Sequence, residues 1–230
     1  MSHATALAAA LRAYFRYRTT CGDALHALFG VISSPARWSL ASLPRALSAE
    51  QVQVLLTSCA EAGSAPLRLL AIVHLALDLG LRVGEIARLE MGDFDWRAGT
   101  VTLKRTKSLR QDVLPLPAAT GEALAAYVMQ ERPVTTLPTL FVRRLAPHDK
   151  PVGVDAVSLA IGRALRRAGI ERSCHSLRHT LACDLVNHGG SIKEVADVLR
   201  HRSMNTSLIY AKLDSHALAE VALPWPGSAA

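Results

Sequence analysis

Between residues 175 and 210 the chain gathers His175, Arg178, His201 and Tyr210: two imidazoles, a guanidinium and a phenol. A guanidinium presents paired N–H donors that match the oxygens of a carboxylate or a phosphate. An imidazole can donate, accept or move a proton near neutral pH. A phenol becomes an oxygen nucleophile once a base or positive surroundings favour its anion. Together these groups suit a site that grips an anionic, tetrahedral group and offers it an oxygen nucleophile. A phosphodiester is the leading candidate.

The spacing says how they are brought together. His175 and Arg178 are three residues apart, so a helix there projects both from one face, close to an N-terminus of the kind where anions bind. Gly189 and Gly190 break that helix. A second apolar pattern, Ile192, Val195, Ala196, Val198 and Leu199, packs a short helix that delivers His201 at its end. Zinc is the competing chemistry, through His175 and His179 at i, i+4 with Cys174 or Cys183 nearby. The Glu of a metalloprotease helix is missing between them and Arg178 stands there instead. Asp184, Glu194 and Asp197 lack the grouping of a two-metal site. No metal and no cofactor is therefore expected.

The rest of the chain has to position these groups. Residues 4–18 carry Leu7, Leu11, Tyr14 and Phe15 at helical spacing, and a second short helix is expected at 23–31. The Ser- and Pro-rich stretch 33–47 reads as a linker, which divides the chain at residues 1–46 and 47–230. Ser48 with Gln51 is a capping box that opens a helix to about residue 62. Pro66 starts a buried helix that Gly80 ends, and a short helix follows over 81–89. The period then changes, giving short strands at 93–96, 100–103 and 112–116. Helix returns at 118–132, and a short strand is expected at 139–142. Over 154–168 Val154, Val157, Ile161, Leu165 and Ala168 form one stripe, with Arg163, Arg166 and Arg167 away from it and Gly169 as the stop. The class is α+β, mostly helical, with a small antiparallel sheet.

Composition narrows the partner. The chain of 230 residues has 26 Lys and Arg against 19 Asp and Glu, a formal charge of +7, which favours a polyanion. Charge alone does not separate nucleic acid from an anionic membrane surface. The apolar run 67–79 is broken by Arg68, His74 and Asp78 and is too short to span a bilayer. Arg12, Arg16 and Arg18 interrupt any leader-like pattern. Cys21, Cys59, Cys174 and Cys183 are scattered, as in a reducing cytoplasm.

In order and spacing the set resembles the tyrosine recombinase, or phage integrase, family over about residues 45–214. GLRVGEIARL looks like that family's first arginine box, with Arg82 as the catalytic cation and Glu85 as its companion. TKSLRQDVLPL is similar to the hairpin that carries the family's lysine, here Lys107. HSLRHT supplies His175 and Arg178, LRHRS supplies His201, and Tyr210 follows nine residues later. The resemblance implies an integrase-like fold and DNA cutting and rejoining through a 3′-phosphotyrosyl bond, without metal or ATP. It also implies double-stranded DNA as partner, a homotetramer on that DNA, other recombinase subunits as further partners, and no membrane. Lys104, Arg105 and Arg110 around the hairpin, Arg163, Arg166 and Arg167, and Arg200 and Arg202 beside His201 are the expected DNA contacts.

The pattern departs from the family in three places. Arg200 stands where many members have Gly, and Cys174 where many have Pro. Residues 1–46 resemble only the tail of a core-binding domain, so a truncated chain is the expectation. The alternatives are a DNA-binding fragment without full recombination activity and a type IB topoisomerase-like nicking and closing enzyme. Residues 214–222 suit one more short helix, of the kind that docks on a neighbouring subunit in the family.

Overall fold

The computed structural model of the chain describes residues 3–32, 44–104, 111–146, 148, 150–201, 203 and 206–213. The chain divides into two compact units, Met1–Ser42 and Leu43–Ala230. In the first, α1 spans His3–Thr20. The second helix expected there is a single 3₁₀ turn, His26–Phe29. The reason is local: Gly22 takes a φ of +101° and ends α1, and the bonds that follow, Leu28 N–H to Leu25 O and Val31 N–H to Leu28 O, close three-residue turns rather than an α-helix.

The second unit is built around one buried helix. α2 (Ala49–Ala60) opens on the expected capping box, with the Ser48 and Gln51 side chains each bonded to the other's main-chain N–H. α3 (Pro66–Leu77) begins with Pro in its first turn and buries Leu69, Ala71, Ile72, Val73, Leu75, Ala76 and Leu77. A helix apolar nearly all round must be surrounded. Here α2, α5 (Ala118–Gln130), α6 (Val154–Arg167) and α7 (His175–Asn187) do so. α4 (Val83–Ile86) is one turn within the longer span expected at 81–89.

The three strands are β1 (Phe94–Asp95), β2 (Thr100–Leu103) and β3 (Asp112–Pro115), antiparallel in that order. Their register pairs Phe94 with Val101 and Thr102 with Val113. Val101 and Leu103 face the core while Val113 is exposed, the alternation of a sheet with one covered face. The strand expected at 139–142 is replaced by two isolated bridges, Glu90 to Thr139 and Val142 to Pro151. Leu140 donates to Leu89 on one side, whereas Val152 and Arg143 pair with Phe141 and Lys150 on the other. A segment that changes partner every residue or two builds no ladder.

α8 (Ile192–Val198) opens on a second capping box, Ser191 with Glu194. A 3₁₀ helix, Leu208–Leu213, follows. Ala182, Cys183 and Val186 from α7, Val195 and Leu199, and Tyr210 form a small core of their own. The end of the expected linker belongs to this unit as well. Leu47 is buried and its N–H donates to Thr180 Oγ1 at 2.9 Å. Residues 33–43 and the helix expected at 214–222 lie outside the described residues.

Gly80 joins α3 to the site. Its φ is +56°, and a Cβ there would lie 2.9 Å from both Leu181 Cδ2 and Leu199 Cδ2. Gly99 has a similar φ of +61° but open space around it. Gly99→Ala should therefore cost about 1 kcal/mol for conformation alone, and Gly80→Ala about 2–3 kcal/mol with the added crowding. Urea unfolding of the two variants measures this, and equal losses would contradict the packing described.

Candidate functional site

The end of α3, the start of α4, the beginning of α7 and the end of α8 meet at a cluster of cations. Arg178 is buried, 8% exposed. Its guanidinium donates from Nη1 to the main-chain oxygen of Gly80 and from Nη2 to that of Leu199. Both carbonyls lie just past helix ends, where main-chain oxygens lack helical partners. Burial first, and then repulsion from Arg82 and Arg200, pulls its pKa down to about 9.

Arg82 sits where α4 begins. Its Nη1 donates to Glu85 Oε1 at 2.8 Å, and its main-chain N–H to Glu85 Oε2 at 2.9 Å. Its Nη2 reaches the main-chain oxygen of Arg200 at 3.5 Å. The Glu85 carboxylate is 8% exposed and also accepts from Arg200 Nη2 at 3.0 Å. Burial acts to raise the Glu85 pKa, but Arg200 and then Arg82 outweigh it and hold the carboxyl below its usual range.

His201 follows Arg200 just past the end of α8, its Nδ1 2.6 Å from Ser207 Oγ. Burial, with Arg178 and Arg82 next, pushes its pKa down to about 4. Nδ1 is taken by Ser207, which leaves Nε2 as its other polar edge. Tyr210 is 2% exposed in the small core. Burial, with Cys183 adding to it, raises its pKa to about 12 against the pull of Arg178. The phenol oxygen lies 2.7 Å from Nδ1 of His179.

His175 is exposed at the first residue of α7, and the imidazole that touches the phenol is His179. The sequence considered His179 only as a metal ligand. Its i+4 relation to His175 was visible, but its partner is 31 residues away. Among the described residues no three His, Cys, Asp or Glu side chains gather to hold a metal. Arg163, Arg166 and Arg167 are exposed on α6 as expected, and Arg167 Nη2 donates to the Ser58 carbonyl at 2.8 Å. Lys104 pairs with Asp93 at 2.6 Å. Arg200 corrects its expected placement: its side chain is only 5% exposed and turned inward onto Glu85. Arg105, Lys107, Arg110 and Arg202 lie outside the described residues.

A model of the phage integrase family matches residues 45–216, from just before α2 to just past Tyr210. The chain belongs to that family. Among curated relatives it is 38% identical to integrase/recombinase y4rA of Sinorhizobium fredii, covering all of this chain and 56% of that protein. It is 34% identical to integrase/recombinase y4gC of the same organism, over 81% of this chain and 98% of that protein. With tyrosine recombinase XerC of Azotobacter vinelandii it shares 32%, over 94% and 71%. The chain spans about half the length of the first curated relatives it matches, 56% of y4rA and 54% of y4rF.

Phage integrase folds also appear among solved structures. The integrase of mycobacterium phage Brujita is 28% identical with a TM-score of 0.58, over 95% of this chain and 71% of that one. XerH recombinase, solved in a post-cleavage complex with palindromic difH substrate, gives a TM-score of 0.69 at 24% identity, over 84% and 56%.

Because the folded His201 binds its proton less tightly than an ordinary imidazole, the unfolded chain takes up that proton first as pH falls. The linked stability is complete above about pH 6.5, declines between pH 6.5 and about 4, and levels off below. Ring resonances of His201 in the free protein should show no titration above pH 5. A midpoint near 6.5 would place the ring in water instead.

Proposed function

We propose that this phage integrase chain cuts and rejoins DNA at specific sites, with Tyr210 as nucleophile. The observation that carries the reading is the convergence of Arg82, Arg178 and Arg200 beside His201, with the one Glu85 carboxylate shared between Arg82 and Arg200. Three cations of known geometry and one anion leave the cluster short of negative charge. A phosphodiester oxygen pair supplies it.

In the reaction, the Tyr210 oxygen attacks phosphorus in line, the Tyr O–P bond forms and the P–O5′ bond breaks. Arg82 and Arg178 stabilise the charge that develops on the nonbridging oxygens, and His201 adds a hydrogen bond. His175, exposed at the start of α7, accepts the phenol's proton, and Lys107 gives one to the leaving 5′ oxygen. The product is a 3′-phosphotyrosyl bond and a free 5′ hydroxyl, whose return reverses the step without ATP. Reaction also requires Tyr210 to leave its small core, since a phenol 2% exposed and bonded to His179 does not reach an external phosphate.

Double-stranded DNA as partner is supported by the +7 charge and by the exposed arginines of α6. Residues 1–46 fit the end of a core-binding region, 47–230 the catalytic domain, and residues 214–222 a tetramer contact on DNA. Unpaired Cys21, Cys59, Cys174 and Cys183 suit a cytoplasmic setting. No helix among the described residues is long and apolar enough to cross a membrane.

Nicked suicide duplexes tiling the DNA that flanks the gene test the reading. Wild type should trap covalent DNA, and Tyr210→Phe should trap none. Arg82→Ala should slow trapping by about 10²–10³-fold. Duplex binding without any adduct would favour a DNA-binding role instead, and relaxation of supercoiled DNA without site preference would favour a topoisomerase-like one. Binding should also weaken steeply as salt rises, and a flat dependence would count against DNA.

A further inference from the structure

Four helix ends among the described residues close in one way, with the second residue past the cap bonded back into the last turn and the first in the left-handed region. After α1 the residue is Gly22, with Asp23 N–H on Arg18 O at 3.2 Å; after α6 it is Gly169, with Ile170 on Leu165 at 2.8 Å. After α7 it is Gly189, with Gly190 on Leu185 at 2.8 Å. After α8 it is Arg200, with φ +53°, and His201 N–H donates to Ala196 O at 2.9 Å. The one turn of the four that leads into the candidate site thus carries arginine where the others carry glycine.

Glycine would suit this backbone better, because a Cβ in the left-handed region is strained. Arg200 also buries an Nε–H with no hydrogen-bond partner among the described residues, a second cost. Its contacts offset both. Nη1 donates to Val198 O at 3.1 Å at the end of α8, and Nη2 to Glu85 Oε2 at 3.0 Å. Glu85 is the carboxylate that also holds Arg82, and Arg82 in turn reaches the Arg200 main-chain oxygen at 3.5 Å. Residue 200 is therefore tied to Arg82 through its side chain and through its backbone. Two guanidiniums share one carboxylate, and with Arg178 the three cations and one anion leave a formal excess of two positive charges. A phosphodiester of one negative charge gains further charge on its equatorial oxygens during transfer, so this excess matches the transition state better than the ground state.

We propose that Arg200 is a positioning residue of the anion site: by gripping Glu85 it locks the turn that presents His201 to the helix that presents Arg82, and leaves Arg82 only partly neutralised. The inference rests on the reading of this cluster as the seat of the scissile phosphate.

Inorganic phosphate titrated into the full chain at neutral pH, followed by the ring resonances of His201, tests it without any DNA target. R200G keeps the turn without strain, and its urea midpoint checks the fold. It should bind phosphate about tenfold more weakly. R200K keeps the charge but lacks the planar fork that holds Glu85 and Val198 together, and should recover only a minor part. R200G binding phosphate like wild type, or a wild type with no response at the highest soluble phosphate, overturns the proposal. Full recovery in R200K reduces the effect to charge and overturns the positioning role.

On a cleaved suicide duplex, R200G should lose rate about tenfold with little change in duplex affinity, as expected for a group that acts mainly in the transition state. Equal losses of rate and affinity would point to direct contact with DNA instead. Wild type that binds phosphate but traps no DNA counts against strand cleavage, while the phosphate titration of R200G still decides the role of Arg200.

Discussion

One buried guanidinium sets the geometry of the larger unit. Arg178 projects from α7 and holds the carbonyl of Gly80 past the end of α3 and that of Leu199 past the end of α8. α3 is the helix around which the main core packs, so the site is tied directly to the centre of that core. A charge taken out of water needs compensation. Main-chain dipoles and the nearby Glu85 supply part of it, and burial still draws Arg178 down to about 9. The free protein thus holds a site with cations close together and little anion among them.

Tyr210 is governed by the opposite requirement. Packing Tyr210 with Cys183, Val186, Val195 and Leu199 fills the small core under α7 and α8, but burial makes the phenolate harder to form. His179 satisfies the buried hydroxyl, as a buried polar group requires. Stability of this core and reactivity of Tyr210 therefore pull apart. A small satellite core opens at lower cost than the main one, so the proposed release of Tyr210 falls to the Leu208–Leu213 turn rather than to α3.

Much of the fold was legible in short-range signals. Ser48 with Gln51, Pro66 with Gly80, and Gly169 and Gly189 mark helix ends because caps and left-handed turns are satisfied within a few residues of themselves. The alternation in 100–103 reports the covered face of the sheet in the same way. The segment 139–142 misled because its apolar residues face two different partners, and a strand pattern carries no statement of what it pairs with. The inward course of Arg200 was hidden for a similar reason. Arginine beside a catalytic-looking histidine in a basic chain reads as a phosphate contact until Glu85, 115 residues earlier, is brought alongside it.

The sequence by itself determined the order and chemical type of the candidate groups, the helices that carry most of them, and the ends of those helices. Each of these follows from periodicity and hydrogen bonding over a handful of residues. Only the tertiary structure decided that His179 rather than His175 touches the phenol, that Glu85 is shared between Arg82 and Arg200, and that Tyr210 rests inside a core. The His179–Tyr210 and Glu85–Arg200 contacts join residues 31 and 115 positions apart. Which partner a buried polar group finds at that range depends on how the helices pack, and no local rule contains that information.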